Sequence, residues 1–181
     1  EVIAFIHEHE KDYSILVDSI EDGSINNAIT HNDPKINNIL FDKTTLEVKC
    51  VIDLDTVMTG TYLYDFGDAL RSLFTGENED SKDLSKLKVN FDLYKAFLTG
   101  YYDQMKGVLS KKEISLLPMA VIILTMELTI RFLTDYIDGD VYFNVAYPTH
   151  NYDRFMTQYT LAKDLYKNLD KLNEITAEVC K

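Results

Sequence analysis

The feature that most constrains the fold is a long apolar stretch in the second half of the chain. It follows Ser110 and runs to about Ile137, and Glu113 stands at the spacing of a helix capping box. Apolar residues cover nearly all sides of the predicted helix, so we expect it at the centre of a folded body. A bilayer would penalise the charges of Glu127 and Arg131, so a buried helix is expected rather than a membrane span.

Helical periodicity also dominates most of the remaining chain. Helices are predicted over residues 2–20, 65–74, 87–105 and 155–172. Two short apolar runs, 39–41 and 46–53, predict a β-hairpin between the first two helices. A sheet this small cannot form its own core, so the hairpin must lie on a helical body. The predicted class is α+β, mainly α, with residues 1–181 forming one lobe.

Charge and cysteine content narrow the functional classes. The chain has 30 acidic and 18 basic residues, a formal net charge of −12. Nucleic acids and anionic membranes attract clustered Lys and Arg, so neither is expected as a partner. The acidic excess fits a cationic or neutral substrate, or a metal-bound nucleotide. Cys50 and Cys180 suggest no disulfide framework, which makes the cytoplasm the default location, and Cys50 is expected to be buried.

The segment HNDPKINN, residues 31–38, carries the strongest chemical signal. Phosphoryl transfer needs a carboxylate beside the attacking hydroxyl, oxygen ligands for Mg²⁺ and positive charge near the phosphoryl group. Asp33 would supply the carboxylate, Asn38 a metal ligand and Lys35 the positive charge. His31 is expected to anchor the loop. The alternative is an ordinary polar turn between a helix and a strand.

A second acidic motif, VIDLD, ends the predicted hairpin. Asp53 directly follows an apolar strand, and the hairpin can bring it to the same metal ion as Asn38. Asp55 is either a second ligand or a solvent-facing loop residue. Ordinary solvation of a strand end is the alternative for both aspartates.

The combined pattern HNDPKINNILFD, CVIDLD and YDFGDALR resembles the aminoglycoside phosphotransferase and choline kinase superfamily, which has a protein-kinase-like fold. Its closest resemblance is to the N-acetylhexosamine 1-kinase branch, through HNDPKINN, VIDLDTVM and RFLTDYIDGDVYF, and it extends from about residue 29 to residue 154. The resemblance implies ATP as co-substrate and Mg²⁺ as cofactor. It also implies that Asp33 is the catalytic base and that Asn38 and Asp53 bind the metal.

Three further roles come from the same resemblance. Asp65 would brace the catalytic loop through backbone N–H groups, while Arg131 and Tyr142 would contact the sugar. Alternatives remain for two of them. Asp65, like Asp68, is also suited to the N-terminal end of a helix. Arg131 lies four residues after Glu127, which favours an ion pair along one helix face equally well.

Kinases of this superfamily also have an N-terminal lobe with a nucleotide-covering loop. The chain has no Gly-x-Gly pattern among its seven glycines, and no β-rich segment precedes residue 29. We therefore expect a C-terminal catalytic lobe that lacks its N-terminal partner and is inactive by itself. The expected reaction is phosphorylation of a small-molecule hydroxyl, with the anomeric hydroxyl of an N-acetylhexosamine as first choice. An aminoglycoside, choline or amino-alcohol kinase, or a non-catalytic kinase-like lobe, is the alternative.

Overall fold

The computed structural model describes residues 1–76 and 79–181. This described part contains seven α-helices and four short strands. Three helices and all four strands lie before residue 76, and the other four helices follow. Their bounds are α1 Val2–Glu8, α2 Ile15–Glu21, β1 Ala28–Thr30, β2 Ile39–Phe41, β3 Val48–Val51, β4 Met58–Gly60, α3 Tyr62–Thr75, α4 Phe91–Met105, α5 Lys111–Asp138, α6 His150–Lys167 and α7 Leu169–Val179. The predicted class, α+β and mainly α, is confirmed.

Helix α5 is the central element, and its predicted start is confirmed. The Ser110 hydroxyl accepts a hydrogen bond from the Glu113 N–H, and the Glu113 carboxylate accepts one from the Ser110 N–H. Helices α3 and α6 pack along α5, and α7 packs beside them. By length and composition alone α5 could cross a membrane, but its most apolar window is 61% buried within the fold, as a core helix would be.

The strands form two separate antiparallel pairs. Strands β2 and β3 make the predicted hairpin, with Ile39 opposite Val51. Strands β1 and β4 make a second pair, with Ala28 opposite Gly60. Gly60 lies in a strand and allows a close approach, because a Cβ there would lie 2.6 Å from the Thr30 hydroxyl.

Other expectations from the sequence need correction. The predicted first helix is broken into α1 and α2 by a 3-10 turn at Glu10–Asp12, and the last is divided into α6 and α7 at Asn168. Cys50 is exposed rather than buried, since no described element covers the hairpin. The charged sequence of residues 77–85 predicts a surface linker, and its first two residues, 77 and 78, lie outside the described part.

Helix α3 carries residues of the predicted site and is held unusually close to α5. It begins after Thr61, whose hydroxyl caps the helix by accepting a hydrogen bond from the Leu63 N–H. A Cβ added at Gly67 would lie 2.6 Å from the Ala120 carbonyl oxygen of α5. Because the obstacle is backbone, any larger residue at Gly67 would force the two helices apart.

This close crossing predicts that Gly67→Ala destabilises the protein by about 1–3 kcal/mol, the usual cost of overpacking a core. Gly100→Ala is the matched control, because Gly100 lies inside α4 with open space around it. That control should stabilise the protein by about 0.5–1 kcal/mol through helix propensity. Urea unfolding of both variants measures the effect, and equal stabilisation by the two would contradict the crossing geometry.

Candidate active site

The loop that follows β1 is fixed to the first turn of α3 by Asp65. One carboxylate oxygen of Asp65 accepts a hydrogen bond from the His31 N–H at 2.9 Å, and the other accepts one from the Asn32 N–H at 2.8 Å. Asn32 has a left-handed backbone with φ of 62°. The Asp65 carboxylate thereby holds a strained turn against a core helix.

The His31 side chain joins this loop to the end of the hairpin. Its Nε2 lies 3.0 Å from the Ile52 carbonyl oxygen, and its Nδ1 lies 3.3 Å from the Asp33 backbone nitrogen. These contacts suit the tautomer that carries its proton on Nε2, since Nδ1 must then accept. The Thr56 hydroxyl also donates to the His31 carbonyl oxygen at 2.7 Å. His31 is thus held from three directions.

Asp33, Lys35 and Asn38 form a compact cluster in the same loop. The Lys35 ammonium lies 2.7 Å from Asp33 Oδ2. The Asn38 amide nitrogen donates to the same oxygen at 3.1 Å and to the Asp33 carbonyl oxygen at 2.8 Å. The Lys35 ammonium and the Asn38 amide both contact Oδ2 of Asp33. The other oxygen, Oδ1, of this partly exposed carboxylate is left for another molecule.

Asn38 and Asp53 are close along the paired strands of the hairpin. The Ile52 N–H donates to the Asn38 carbonyl oxygen at 2.9 Å, and Asp53 is the next residue. The Asn38 amide nitrogen is engaged with Asp33, so its oxygen is the atom available to a cation. An amide oxygen and one carboxylate fit Mg²⁺, which completes its coordination with water and phosphate oxygens. No cluster of three or more His, Cys, Asp and Glu side chains suited to a metal occurs in the described ranges. Asp55 is exposed.

A cleft of about 980 Å³ connects the loop with the second half of the chain. Its lining includes Asp33 and Lys35 of the loop, and Arg131 and Tyr142 from the second half of the chain. Folding therefore brings together residues that the sequence analysis assigned to catalysis and to sugar contact. His31, Asn38, Asp53 and Asp65 do not line this cleft.

Arg131 makes the ion pair with Glu127 that the sequence analysis gave as one of its two alternatives, and it also contacts Tyr142 of the cleft. Its guanidinium pairs with Glu127 at 3.2 Å and donates to the Tyr142 hydroxyl at 3.3 Å. It also lies 5.4 Å from the centre of the Tyr142 ring and 5.3 Å from that of Phe143, within cation–π range. Arg131 and Tyr142 therefore form one unit at the cleft.

The sequence analysis missed Asp135, which fixes the segment that carries Tyr142. Its carboxylate accepts hydrogen bonds from the N–H groups of Val141, Tyr142 and Phe143 at 2.7–3.0 Å. Burial alone would raise the pKa of Asp135, but the hydrogen bonds from Phe143, Tyr142 and Val141 outweigh it and hold that pKa below its ordinary value. An aspartate near a helix end has many structural uses, so no local signal marked this one.

A row of charged side chains on the cleft wall was also missed. Asp68 was predicted to be a helix N-terminal charge or a loop brace. It instead pairs with Arg71 inside α3 at 2.7 Å. Arg71 also contacts Glu79 at 3.2 Å, and Glu79 lies 3.8 Å from Arg154 of α6. These residues come from three separate segments, so only the packing of the helices reveals them.

Comparison with known families gives one match. Residues 15–97 match the model of the phosphotransferase enzyme family, APH. The matched segment is just under half of the chain and includes His31, Asp33, Asn38, Asp53 and Asp65. Arg131 and Tyr142 lie beyond it. The match supports a phosphotransferase of the kinase-like superfamily, whose members use ATP.

The Asp65 contacts predict a local effect of Asp65→Asn. The amide would turn a donor towards one of the two N–H groups, so the His31 and Asn32 amides should lose about 10- to 100-fold of their hydrogen-exchange protection. Exchange measured by NMR tests this, with Asp92→Asn in the first turn of α4 as the control. Unchanged protection at residues 31 and 32 would contradict the bracing role.

The lowered pKa of Asp135 predicts a pH-dependent loss of stability. Its contribution is fully present above the unfolded pKa, about 3.9 for aspartate, and disappears as pH falls through the lower folded pKa. Asp135→Asn should therefore unfold several degrees below wild type at pH 7, and the gap should narrow below about pH 4. Calorimetric melting at pH 7 and pH 3 tests this, and a gap of the same size at both would contradict it.

Proposed function

We propose that the protein is an ATP- and Mg²⁺-dependent phosphotransferase that phosphorylates the anomeric hydroxyl of an N-acetylhexosamine. The observation that carries this proposal is the shared cleft, which is lined by both Asp33 and the Arg131–Tyr142 unit. Its volume of about 980 Å³ is large enough to hold a monosaccharide.

In this proposal Asp33 is the catalytic base. The acceptor hydroxyl attacks the γ-phosphorus, its proton passes to Asp33, and the bond to the ADP oxygen breaks. Contacts from Lys35 and Asn38 orient the Asp33 carboxylate. Lys35 is also placed to turn its ammonium towards the transferred group, because its side chain is partly exposed beside Asp33.

Asn38 and Asp53 would hold the metal. When bound, Mg²⁺ would neutralise phosphate charge and orient the phosphoryl donor. Residues of this chain hold the loop in position. His31 ties the catalytic loop to Ile52, immediately before Asp53, and Asp65 ties the same loop to α3.

The charge balance of the cleft favours a neutral acceptor over a cationic one. The chain carries a net charge of −12, but the cleft is lined by equal numbers of acidic and basic side chains. These are Asp33, Asp68, Glu79 and Glu127, and Lys35, Arg71, Arg131 and Arg154. A site for the polycationic aminoglycosides would be expected to carry excess negative charge.

The exposed hairpin suits the proposed N-terminal lobe as partner. Large apolar side chains are exposed on β2, β3 and the segment that follows, including Leu40, Phe41, Val48 and Val51. Apolar patches of this kind mark interaction surfaces. We propose that a nucleotide-binding lobe covers them, that the 181 residues alone transfer no phosphate, and that the protein acts in the cytoplasm.

The test of this function is a turnover panel with the full-length protein and Mg-ATP. N-acetylglucosamine and N-acetylgalactosamine should be phosphorylated with the highest kcat/KM, and choline and kanamycin should be poor substrates. Preference for choline or kanamycin would support the alternative kinases. No turnover with any acceptor would support a non-catalytic lobe.

The role of Asp33 gives a mutational prediction. Asp33→Asn preserves shape but cannot take the proton, so kcat should fall by about 10²–10⁴ with little change in acceptor KM. Asp170→Asn, at the start of α7, is the matched control. Steady-state kinetics of the full-length variants decides the matter, and near-wild-type turnover by Asp33→Asn would refute the assignment.

A further inference from the structure

Buried polar atoms without hydrogen-bond partners concentrate in one part of the described structure. They belong to three side chains and are Asp68 Oδ2, Arg154 Nε and both amide atoms of Gln158. Folded proteins pair nearly all buried polar atoms, so each exception needs an explanation. Arg154 and Gln158 lie one turn apart on α6, and both Asp68 and Arg154 line the cleft.

One carboxylate oxygen of Asp68, Oδ2, has no hydrogen-bond partner. Both the Nε and Nη2 atoms of Arg71 bind Asp68 Oδ1, at 2.8 and 2.7 Å. Asp68 is only 7% exposed, so bulk water does not compensate Oδ2. The pairing with Arg71 fixes the carboxylate, and Oδ2 is left as an acceptor without a partner.

Arg154 offers the complementary donor on the facing helix. Its Nη1 atom donates to the Asn144 carbonyl oxygen and to Asn151 Oδ1, which fixes the guanidinium. Its Nε lies 3.8 Å from Glu79, too far for a hydrogen bond. Glu79 also contacts Arg71, so a continuous row of charges runs from Asp68 to Arg154 along the cleft wall.

We infer that Asp68 and Arg154 bind the acceptor at polar groups other than the hydroxyl presented to Asp33, and so determine specificity. This inference rests on the function proposed above. Asp68 Oδ2 only accepts hydrogen bonds and Arg154 Nε only donates them, so the ligand must carry both donors and acceptors. Ring hydroxyls and a secondary amide meet that requirement.

The same complementarity separates the possible acceptors. Choline has a single hydroxyl, which phosphorylation would use, and its ammonium group offers no N–H donor and no acceptor. A neutral hexose derivative has several hydroxyls and adds no charge to a balanced row. Sites that bind a substrate hydroxyl through buried polar groups reject analogues lacking it, because those groups then stay unpaired.

The experiment measures binding of N-acetylglucosamine and its 3-, 4- and 6-deoxy derivatives by calorimetry, with wild type, Asp68→Asn and Arg154→Lys. Removing one particular hydroxyl should weaken wild-type binding by about tenfold or more, as for a hydrogen bond to a charged group. Asp68→Asn should bind the parent sugar about tenfold more weakly, with no further loss for that deoxy sugar.

Arg154→Lys keeps the charge but removes Nε, and it provides an independent test if Asp68→Asn does not fold. Binding by this variant should no longer weaken when the group that Arg154 contacts is removed from the sugar. That group is either one ring hydroxyl or the acetamido group, and glucosamine and glucose test the acetamido group. Asp92→Asn should keep the wild-type pattern. Equal weakening of every sugar by both cleft variants would overturn the inference and indicate a purely structural ion pair. If wild type binds none of the sugars, the proposed acceptor itself is wrong, which is a separate outcome.

Discussion

The hydrogen bonds between Asp65 and the backbone of His31 and Asn32 join the loop that carries Asp33 to the helical core. A three-residue strand could not hold a loop with a left-handed residue in place. Helix α3 can, because Gly67 lets it rest directly on the backbone of α5. The position of Asp33 in the cleft therefore depends on the packing of two helices, which reaches the loop through the Asp65 carboxylate.

The cleft differs electrostatically from the protein around it. A strongly acidic chain has placed four basic side chains opposite four acidic ones there. Most of them are paired, so the cleft offers fixed donors and acceptors rather than a net field. Such a surface favours ligands that hydrogen-bond in both directions, and this is the physical basis for proposing a neutral sugar over a cationic acceptor.

Features that depend on residues close together in the sequence were predicted correctly. The capping box at Ser110 places the start of α5, and the apolar runs that form β2 and β3 predict the hairpin. The pairing of β1 with β4 was not predicted, because these strands have three residues each and the whole β2–β3 hairpin separates them in the sequence. Asp135 was not predicted because an aspartate near a helix end has many structural uses. The charged row that contains Arg154 was not predicted because it is formed by residues of separate segments. Cys50 was misjudged since an apolar strand is buried only where another element covers it.

The central claim is that the loop from His31 to Asn38 directs phosphoryl transfer to a sugar hydroxyl. The most direct measurement is ³¹P NMR of the product formed by the full-length protein from Mg-ATP and N-acetylglucosamine labelled with ¹³C at C1. The account predicts a phosphate monoester whose phosphorus couples to C1, formed together with ADP. Release of inorganic phosphate alone, or a phosphate carried on another hydroxyl, would contradict it.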